Sequence, residues 1–145
     1  MERINHNIEP LYDRNSRILI LGSFPSVKSR EMRFFYGHPQ NRFWRVIAAL
    51  TDYPVPHTIE DKKKMLHENH IALWDTIASC EIEGSSDSSI KGVVPNNLNI
   101  ILEIASIQAV YCNGSKSYEL YHKYCEKQTG MPAFKLPSTS PANAA

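Results

Sequence analysis

The segment Arg17–Ser26, which reads RILILGSFPS, decides the fold because a short apolar run stops at a glycine followed by serine and proline. An uninterrupted apolar run of this length predicts a strand buried on both faces, as in a parallel sheet. The chain then continues to Gln40 before the next helical pattern starts. Connections of more than about 12 residues in a compact domain usually carry function. We therefore expect the functional site near the end of this strand.

Three more strand patterns and four helical patterns follow in alternation. The strand patterns are IALWDT (71–76), IQAVYCNG (107–114) and PAFKLP (132–137). The helical patterns are NRFWRVIAAL (41–50), TIEDKKKMLHENH (58–70), PNNLNIILEIA (95–105) and SKSYELYHKYCEKQTG (115–130). This alternation predicts an α/β fold with one domain, residues 1–145, in which three layers (α/β/α) enclose a central four-stranded parallel sheet.

The helical patterns also predict particular ends and buried faces. A cap is expected at Thr58, and Pro95 suits the first turn of a helix. The last helix is predicted to run from a Ser115 cap to Gly130. Residues 77–94 are predicted to form an irregular connection. In the first helix, one face is predicted to be buried, with these residues: Phe43, Val46, Ile47 and Leu50.

The composition is that of an ordinary globular protein, with 42% hydrophobic and 21% charged residues in 145 positions. No apolar run is long enough for a membrane span, and the polar N-terminus has no signal core. Cys80, Cys112 and Cys125 fit neither a disulfide framework nor a CxxC metal site. We therefore expect reduced thiols in a cytoplasmic protein.

The charge distribution is uneven along the chain. The net charge of +1 does not indicate a nucleic-acid partner, but residues 28–45 include five basic side chains and one acidic side chain. A local basic patch can bind phosphate without a basic chain average. A solvated loop would have the same composition, so charge alone leaves both interpretations open.

In an open parallel sheet, ligands bind at the carboxyl ends of the strands. Here those ends carry GSFPS (22–26), WDT (74–76), NG (113–114) and LPSTSPANA (136–144). None of the dinucleotide, phosphate-loop, nucleophile-elbow or zinc-protease motifs is present. The two segments rich in serine and proline could hold DNA phosphates by neutral hydrogen bonds, or could be ordinary turns.

Three motifs together resemble the uracil-DNA glycosylase superfamily: ILILGSFPS (18–26), YGHPQNRFW (36–44) and LPSTSPANA (136–144). The resemblance extends over roughly residues 17–145 and is nearest to the hypoxanthine-DNA (deoxyinosine) glycosylase branch, which is also similar at 71–90 and 112–118. It implies a DNA repair enzyme that hydrolyses the N-glycosidic bond of a deaminated base flipped out of DNA. Hypoxanthine is the expected base.

The resemblance implies that Asn41 is the catalytic residue, whose amide orients a water by accepting from it or donates to the base. Asn is also a good helix cap, so the residue type alone leaves both roles open. Tyr36 is expected to stack on the flipped base. The other residues expected in the base pocket are Gly22, Ser23, Phe24, Pro25, Asp75 and Asn113. The residues expected to contact DNA are Ser26, Lys28, His38, Arg42, Pro137, Ser138, Thr139 and Ser140.

Three of these residues have alternative interpretations. Asp75 could contact the base or merely cap the end of its strand. Asn113 precedes a glycine, and an Asn-Gly pair is a common turn. His38 precedes a proline and could be a backbone spacer, a phosphate donor or part of the pocket wall.

The first motif bears on the mechanism. Residues 22–26 contain no carboxylate or amide, whereas other branches place an Asp or Asn there to activate the water. Asparagine is not a strong base, so the implied mechanism is dissociative, with an oxocarbenium-like sugar captured by water. The cysteines lack the spacing of an iron–sulfur cluster, and no metal or cofactor is expected. The expected partner is double-stranded DNA, with single strands left open, and the expected state is a monomer.

The chain ends at PANAA, whereas the resemblance implies a further helix that backs the last motif. We therefore expect the domain to lack that helix and the last motif to be loosely held. Three other functions stay open at this point. They are a uracil-preferring enzyme of the same superfamily, a truncated protein that binds lesions without turnover, and an unrelated small-molecule α/β module.

Overall fold

The computed structural model describes residues 2–141. Its strands are β1 (Arg3–Asn5), β2 (Ile18–Gly22), β3 (Ile71–Asp75), β4 (Ile77–Glu81), β5 (Lys91–Pro95), β6 (Ala109–Asn113) and β7 (Ala133–Leu136). Its α-helices are α1 (Val27–Met32), α2 (Phe43–Thr51), α3 (Ile59–Glu68), α4 (Asn99–Leu102), α5 (Ser115–Tyr124) and α6 (Glu126–Thr129). None of these helices is long and apolar enough to cross a membrane.

The central sheet has four parallel strands in the order β3-β2-β6-β7, which confirms the predicted sheet. Leu21 of β2 lies opposite Trp74 on one side and Cys112 on the other. The next parallel strand in the chain, β3, lies on one side of β2, and the later strand β6 lies on the other side, so the strand order reverses at β2. In sheets of this kind, the reversal opens a crevice at the carboxyl end of the central strand.

Both faces of the central sheet are covered. All five residues of β3 and four of the five in β2 are buried, although consecutive side chains point to opposite faces. Such strands need helices on each side, so the predicted three-layer α/β/α arrangement is confirmed. On one face, Ser117 of α5 donates its hydroxyl to the buried Leu21 carbonyl at 2.8 Å, which ties the helix to the sheet.

A second sheet occupies the region that was predicted to be an irregular connection, so that prediction was wrong. Strands β1, β4 and β5 pair antiparallel, with β4 in the middle. The pairing between β4 and β5 has register shifts, and β1 comes from the polar N-terminal segment. The sequence gives no clear period-2 signal here because the pairing is irregular and its outer strands are mostly exposed.

The buried face of α2 differs from the prediction. Phe43 and Ile47 are buried as expected, but Leu50 is 77% exposed and Val46 is also exposed. Trp44 is buried instead, because its ring stacks on Phe34 at 5.8 Å between centroids. The long connection after β2 therefore supplies a packing partner that rotates the helix away from the apolar stripe seen in the sequence.

Two other helix starts can be compared with their predictions. Thr58 caps α3 as predicted, since its hydroxyl oxygen accepts from the Asp61 N–H at 3.0 Å. Pro95 does not begin a helix; it ends β5, and the helix that follows is only the short α4. The antiparallel pairing of β5 with β4 draws Pro95 into extended backbone, so the prediction for Pro95 was wrong.

The last predicted helix is divided and starts differently. Gly114, at φ 100°, precedes α5 and takes the cap position that was predicted for Ser115. The helix ends at Tyr124, and the separate turn α6 follows before Gly130 ends it in the left-handed region. A φ of this sign favours glycine, which explains why both boundaries fall at glycines.

Asn96 holds the junction at which the chain passes from the parallel sheet into the antiparallel one. Its side-chain amide is buried and donates to the carbonyls of Asp75 at 2.9 Å and Ile77 at 3.1 Å. Its backbone N–H donates to the Thr76 carbonyl at 2.8 Å. These bonds fix the backbone at the carboxyl end of β3, where the functional side chains gather.

Replacing Asn96 with Ala should lower the free energy of unfolding by about 1–3 kcal/mol, because two buried carbonyls lose their donor. Urea denaturation of purified protein measures this change. Asn7→Ala is the matched control, since the Asn7 amide makes an exposed bond to the Arg30 carbonyl and its loss should stay within about 0.5 kcal/mol. Equal losses in the two variants would contradict the role assigned to Asn96.

Candidate active site

A cavity of about 360 Å³ opens at the carboxyl ends of the parallel strands. It is partly polar, and its size suits one small ligand such as a single base. The four strand ends named in the sequence all contribute to its wall. The lining residues are Gly22, Ser23, Phe24, Pro25, Ser26, Ser29, Phe35, Tyr36, His38, Asn41, Asp75, Ser85, Asp87, Asn113, Ser138, Thr139, Ser140 and Pro141.

Gly22 is required by close approach rather than by its backbone angles. A Cβ at this position would collide with the Asp75 carboxylate and would lie 3.1 Å from the Tyr36 hydroxyl. The Gly22 carbonyl accepts from the Thr76 N–H at 2.9 Å, so the backbone cannot easily move away. The absence of a side chain here lets two functional groups from distant segments meet at the cavity.

Asn41, Thr139 and Asn113 form one hydrogen-bonded bridge across the cavity mouth. The Thr139 hydroxyl donates to Asn41 Oδ1 at 2.8 Å and accepts from Asn113 Nδ2 at 3.0 Å. Asn113 Oδ1 in turn accepts from the Thr139 N–H at 3.1 Å. The bridge joins the end of β6, the entry to α2 and the C-terminal loop.

The orientation of the Asn41 amide follows from its neighbours. The Phe43 N–H can only donate, and it lies 2.9 Å from the atom that must therefore be Oδ1. With the Thr139 hydroxyl, two donors occupy both lone pairs of this oxygen. Within residues 2–141, Nδ2 has no hydrogen-bond partner. Arg42 takes the N-cap position of α2, and Asn41, one residue earlier, accepts from the first helical N–H. Its Nδ2 presents N–H donors at the cavity, which favours donation over acceptance.

The C-terminal loop, residues 137–141, makes hydrogen bonds to the entry of α2, while its predicted loose attachment stays a prediction. The Arg42 N–H donates to the Thr139 carbonyl at 3.0 Å, and Arg42 Nη2 donates to the Ser138 carbonyl at 3.1 Å. The Ser140 N–H donates to Ser138 Oγ at 3.1 Å. The remaining residues of the PANAA motif, 142–145, lie outside the described residues.

Tyr36 enters the cavity from strained backbone, at φ 51°. Its ring stacks on Phe43 with centroids 4.1 Å apart, so one face is already covered. Its hydroxyl oxygen is buried and has no partner of hydrogen-bond geometry within the described residues. Burial first, and then the charge of Asp75, raise the pKa of Tyr36, although the nearby Asn113 amide has an opposing effect. The hydroxyl therefore keeps its proton.

The partner of Asp75 is His6, which was not among the predicted site residues. His6 Nε2 lies 2.7 Å from Asp75 Oδ2, and both side chains are only 5% exposed. His6 follows β1, and its N–H donates to the Ala78 carbonyl, which extends the pairing with β4. No local signal in the polar N-terminal segment marks this residue, because its position depends on the missed antiparallel sheet.

Asp87 was also missed, and it places a second carboxylate in the cavity wall. Its Oδ1 accepts from the Ser23 hydroxyl at 2.9 Å. The residue as a whole is exposed, but the carboxylate lies against protein at the cavity edge. Burial raises the pKa of Asp87, against the opposing effects of Ser23 and Lys116. The only signal in the sequence was the serine-rich run GSSDSS at 84–89, which lies in a connection predicted to be irregular.

The structure brings most of the predicted residues together, with three exceptions. Lys28 lies on α1 beside Glu31, at 3.9 Å, and is not part of the cavity wall. Arg42 binds the C-terminal loop, and Pro137 lines an adjacent groove. Contacts of these residues with DNA stay predictions, as does the catalytic role of Asn41. No group of three or more His, Cys, Asp or Glu side chains in the described part of the chain is arranged to hold a metal.

A parallel α/β sheet with a base-sized cavity at its switch point, bridged by amides and hydroxyls, defines an enzyme-like ligand site. Comparison with known proteins specifies the class. A family model described as "Uracil DNA glycosylase superfamily" matches residues 9–145. The chain belongs to the uracil-DNA glycosylase superfamily, and it is therefore a DNA glycosylase, a hydrolase that acts on N-glycosyl bonds in DNA.

Two curated relatives, both named "Hypoxanthine DNA glycosylase", support this membership. The protein from Methanosarcina barkeri is 35% identical over 112 residues, covering 76% of this chain and 71% of the relative. The protein from Methanosarcina acetivorans is 34% identical over 142 residues, covering 97% and 89%. The solution NMR structure of a candidate uracil DNA glycosylase from M. acetivorans matches with a TM-score of 0.83 and 33% identity, covering 96% of this chain and 86% of that one.

Thr139→Val should lower the single-turnover rate of base excision by about tenfold or more, because small displacements of a positioning group cost that much. Valine keeps the shape of threonine but cannot bridge the two asparagines. Thr139→Ser should retain most of the rate. Thr51→Val, at the far end of α2, is the control. A full rate in Thr139→Val would mean that the bridge does not position Asn41.

Asp87→Asn should raise the melting temperature at pH 7. The raised pKa of Asp87 means that folding favours its protonated form, so the charged form costs stability above the folded-state pKa. Asparagine can still accept from Ser23 and carries no charge. The gain should shrink as the pH falls toward about 4, the ordinary value for Asp. A melting curve series from pH 4 to pH 8 tests this, and a gain independent of pH would contradict it.

Proposed function

We propose that the protein removes hypoxanthine from DNA that contains deoxyinosine, as a monofunctional glycosylase. The observation that carries the choice of base is the similarity to two curated relatives with that name, at 34–35% identity over most of the chain. The cavity geometry supports excision of a base but does not favour one base over another. Its support is that the Asn41 amide is held in one orientation at the cavity wall, where it can bind a water molecule.

The proposed mechanism is dissociative. Residues 22–26 contribute no carboxylate or amide side chain to the cavity, so no strong base lies in the first motif. The bond between the base nitrogen and C1′ lengthens first, and the electron pair leaves with the base. Hypoxanthine accepts this charge better than adenine does because its lactam group delocalises it. In this proposal, backbone N–H groups of the cavity-lining residues Ser23, Phe24 and Ser26 stabilise the departing base.

Asn41 has a defined task in this mechanism. Its Nδ2 donates to the oxygen of a water molecule and leaves that oxygen another lone pair for attack on C1′. The water oxygen bonds to the oxocarbenium carbon, its proton passes to solvent, and the departed base takes up a proton. The amide holds the water in place and is not asked to remove its proton, which asparagine does poorly.

Uracil is the second candidate base. One solved structure similar to this chain, from M. acetivorans, is described as a candidate uracil DNA glycosylase, at 33% identity. Uracil and hypoxanthine share a lactam group, so a cavity that holds one could hold the other. Duplexes that differ only in the damaged base separate these possibilities.

We also propose that the substrate is duplex DNA bound by a monomer in the cytoplasm. The proposed phosphate contacts are Lys28, Arg42 and the serines of the first and last motifs, residues 18–26 and 136–144. The cytoplasmic assignment is supported by the three free, buried cysteines, which are usual in a reducing compartment. The alternative of lesion binding without turnover would appear as retention of a damaged duplex without cleavage.

Asn41→Ala should lower single-turnover excision of hypoxanthine by about 10²–10³-fold, the usual cost of removing one preorganised donor. The assay uses labelled duplexes with inosine, uracil or no damaged base, followed by alkali to break abasic sites. Asn15→Ala removes an exposed asparagine far from the cavity and should keep the full rate. Wild-type cleavage at uracil above inosine would reverse the proposed base preference, and an unchanged rate in Asn41→Ala would remove its catalytic role.

A further inference from the structure

We propose that His6 fixes the hydrogen-bonding atoms of Asp75 so that Asp75 and Tyr36 together read the lactam edge of the flipped base; this rests on the proposed function. A lactam edge carries a carbonyl acceptor beside an N–H donor. Hypoxanthine and uracil both have this edge, whereas adenine and cytosine have an amino donor beside a ring nitrogen that accepts. The cavity would thereby recognise the chemical change that deamination produces.

The hydrogen bonds of His6 determine its tautomer. The Ile8 N–H donates to His6 Nδ1 at 3.2 Å, so this nitrogen carries no proton. The ring proton is therefore on Nε2, which donates to Asp75 Oδ2 at 2.7 Å. Phe24 and Trp74 contact the imidazole edge-on, with centroids 6.0 and 6.3 Å away, and keep the ring in this orientation.

The other carboxylate oxygen of Asp75 is left for the ligand. Oδ1 lies against Gly22, where a Cβ would collide with it, and it accepts no hydrogen bond within residues 2–141. Asp75 lines the cavity. An ionised carboxylate only accepts hydrogen bonds, so this oxygen suits the N–H of a lactam and opposes the bare ring nitrogen of adenine or cytosine.

The Tyr36 hydroxyl supplies the complementary donor beside Asp75 Oδ1. It lies at the same glycine, 3.1 Å from the position that a Gly22 Cβ would occupy. It is buried and has no hydrogen-bond partner in the described chain. Because buried polar groups in proteins are normally hydrogen-bonded, a ligand atom is the expected partner of this hydroxyl. Since burial raises its pKa, the hydroxyl stays protonated and can donate to the lactam carbonyl.

His6 lies outside the residues that the family model matches. The match begins at residue 9, and the pairing of β1 with β4 brings His6 against Asp75. The N-terminal segment thus contributes a positioning residue for recognition of the base. Guanine and thymine also carry a lactam edge, so their exclusion must depend on the 2-amino and 5-methyl groups at other positions of the cavity.

The test measures binding rather than cleavage, so that it is independent of turnover. In the Asn41→Ala background, dissociation constants are measured for duplexes that contain inosine or deoxynebularine, whose unsubstituted purine has a bare acceptor at N1 and no carbonyl. The parent should bind inosine more tightly. Tyr36→Phe should lower this preference about tenfold or more, because only inosine uses the donor.

Asp75→Asn gives the sharper outcome. The His6 Nε2–H would take the amide oxygen, and Nδ2 would face the cavity and replace an acceptor by a donor. The preference should then reverse toward nebularine. Adding His6→Glu to Asp75→Asn supplies an acceptor for Nδ2, turns the amide oxygen back toward the cavity and should restore the preference for inosine.

The controls separate recognition from folding. His122→Gln alters an exposed His–Glu pair, 3.1 Å apart, and should leave the preference unchanged. Thermal unfolding of each variant shows that it is folded. Equal loss of both ligands in Asp75→Asn and Tyr36→Phe would overturn lactam recognition. A folded double variant that keeps the preference of Asp75→Asn would overturn the positioning role of His6. Failure of wild-type excision with an intact binding preference would overturn the proposed function alone.

Discussion

The hydroxyl of Thr139 is the contact on which the site depends. It lies between two asparagine side chains and joins segments that are 26 and 98 residues away along the chain. Without it, the loop would keep its backbone bond from Thr139 to Asn113 and its two bonds from Arg42, but the side chains of Asn41 and Asn113 would lose their shared partner. Because both partners of the hydroxyl are amides, the bridge orients them without introducing a charge.

This bridge changes the chemistry that Asn41 can perform. The residue type alone allowed its amide to accept from water or to donate. Two donors already occupy its oxygen, so donation is what remains. A donor suits a dissociative reaction, in which the water needs to be held until the sugar cation forms. The same geometry explains why binding the first N–H of α2 and acting on the substrate need not compete at this position: the first uses Oδ1 and the second would use Nδ2.

Several features of the cavity lower the stability of the folded protein and are not needed for folding. The Tyr36 hydroxyl is buried without a partner, and its backbone has a positive φ. Partial burial of the Asp87 carboxylate at the cavity edge raises its pKa. Gly22 leaves space that any other residue would fill. Such features are common where a site must be ready for a ligand, and the packed parallel sheet supplies the stability that offsets them.

Local patterns in the sequence were sufficient for the four parallel strands and for the convergence of the motifs at one edge of the sheet. The reason is that apolar runs mark buried strands, and the carboxyl ends of parallel strands must meet. Asn41 and Thr139 were therefore predicted to lie in one site, although their bond was not. Only the tertiary structure decided the antiparallel sheet, the buried Trp44, the contact of His6 with Asp75 and the place of Asp87 in the cavity wall. Each of these depends on contacts between residues far apart in the chain. Such contacts do not require a repeating apolar pattern in either segment, so neither segment shows one.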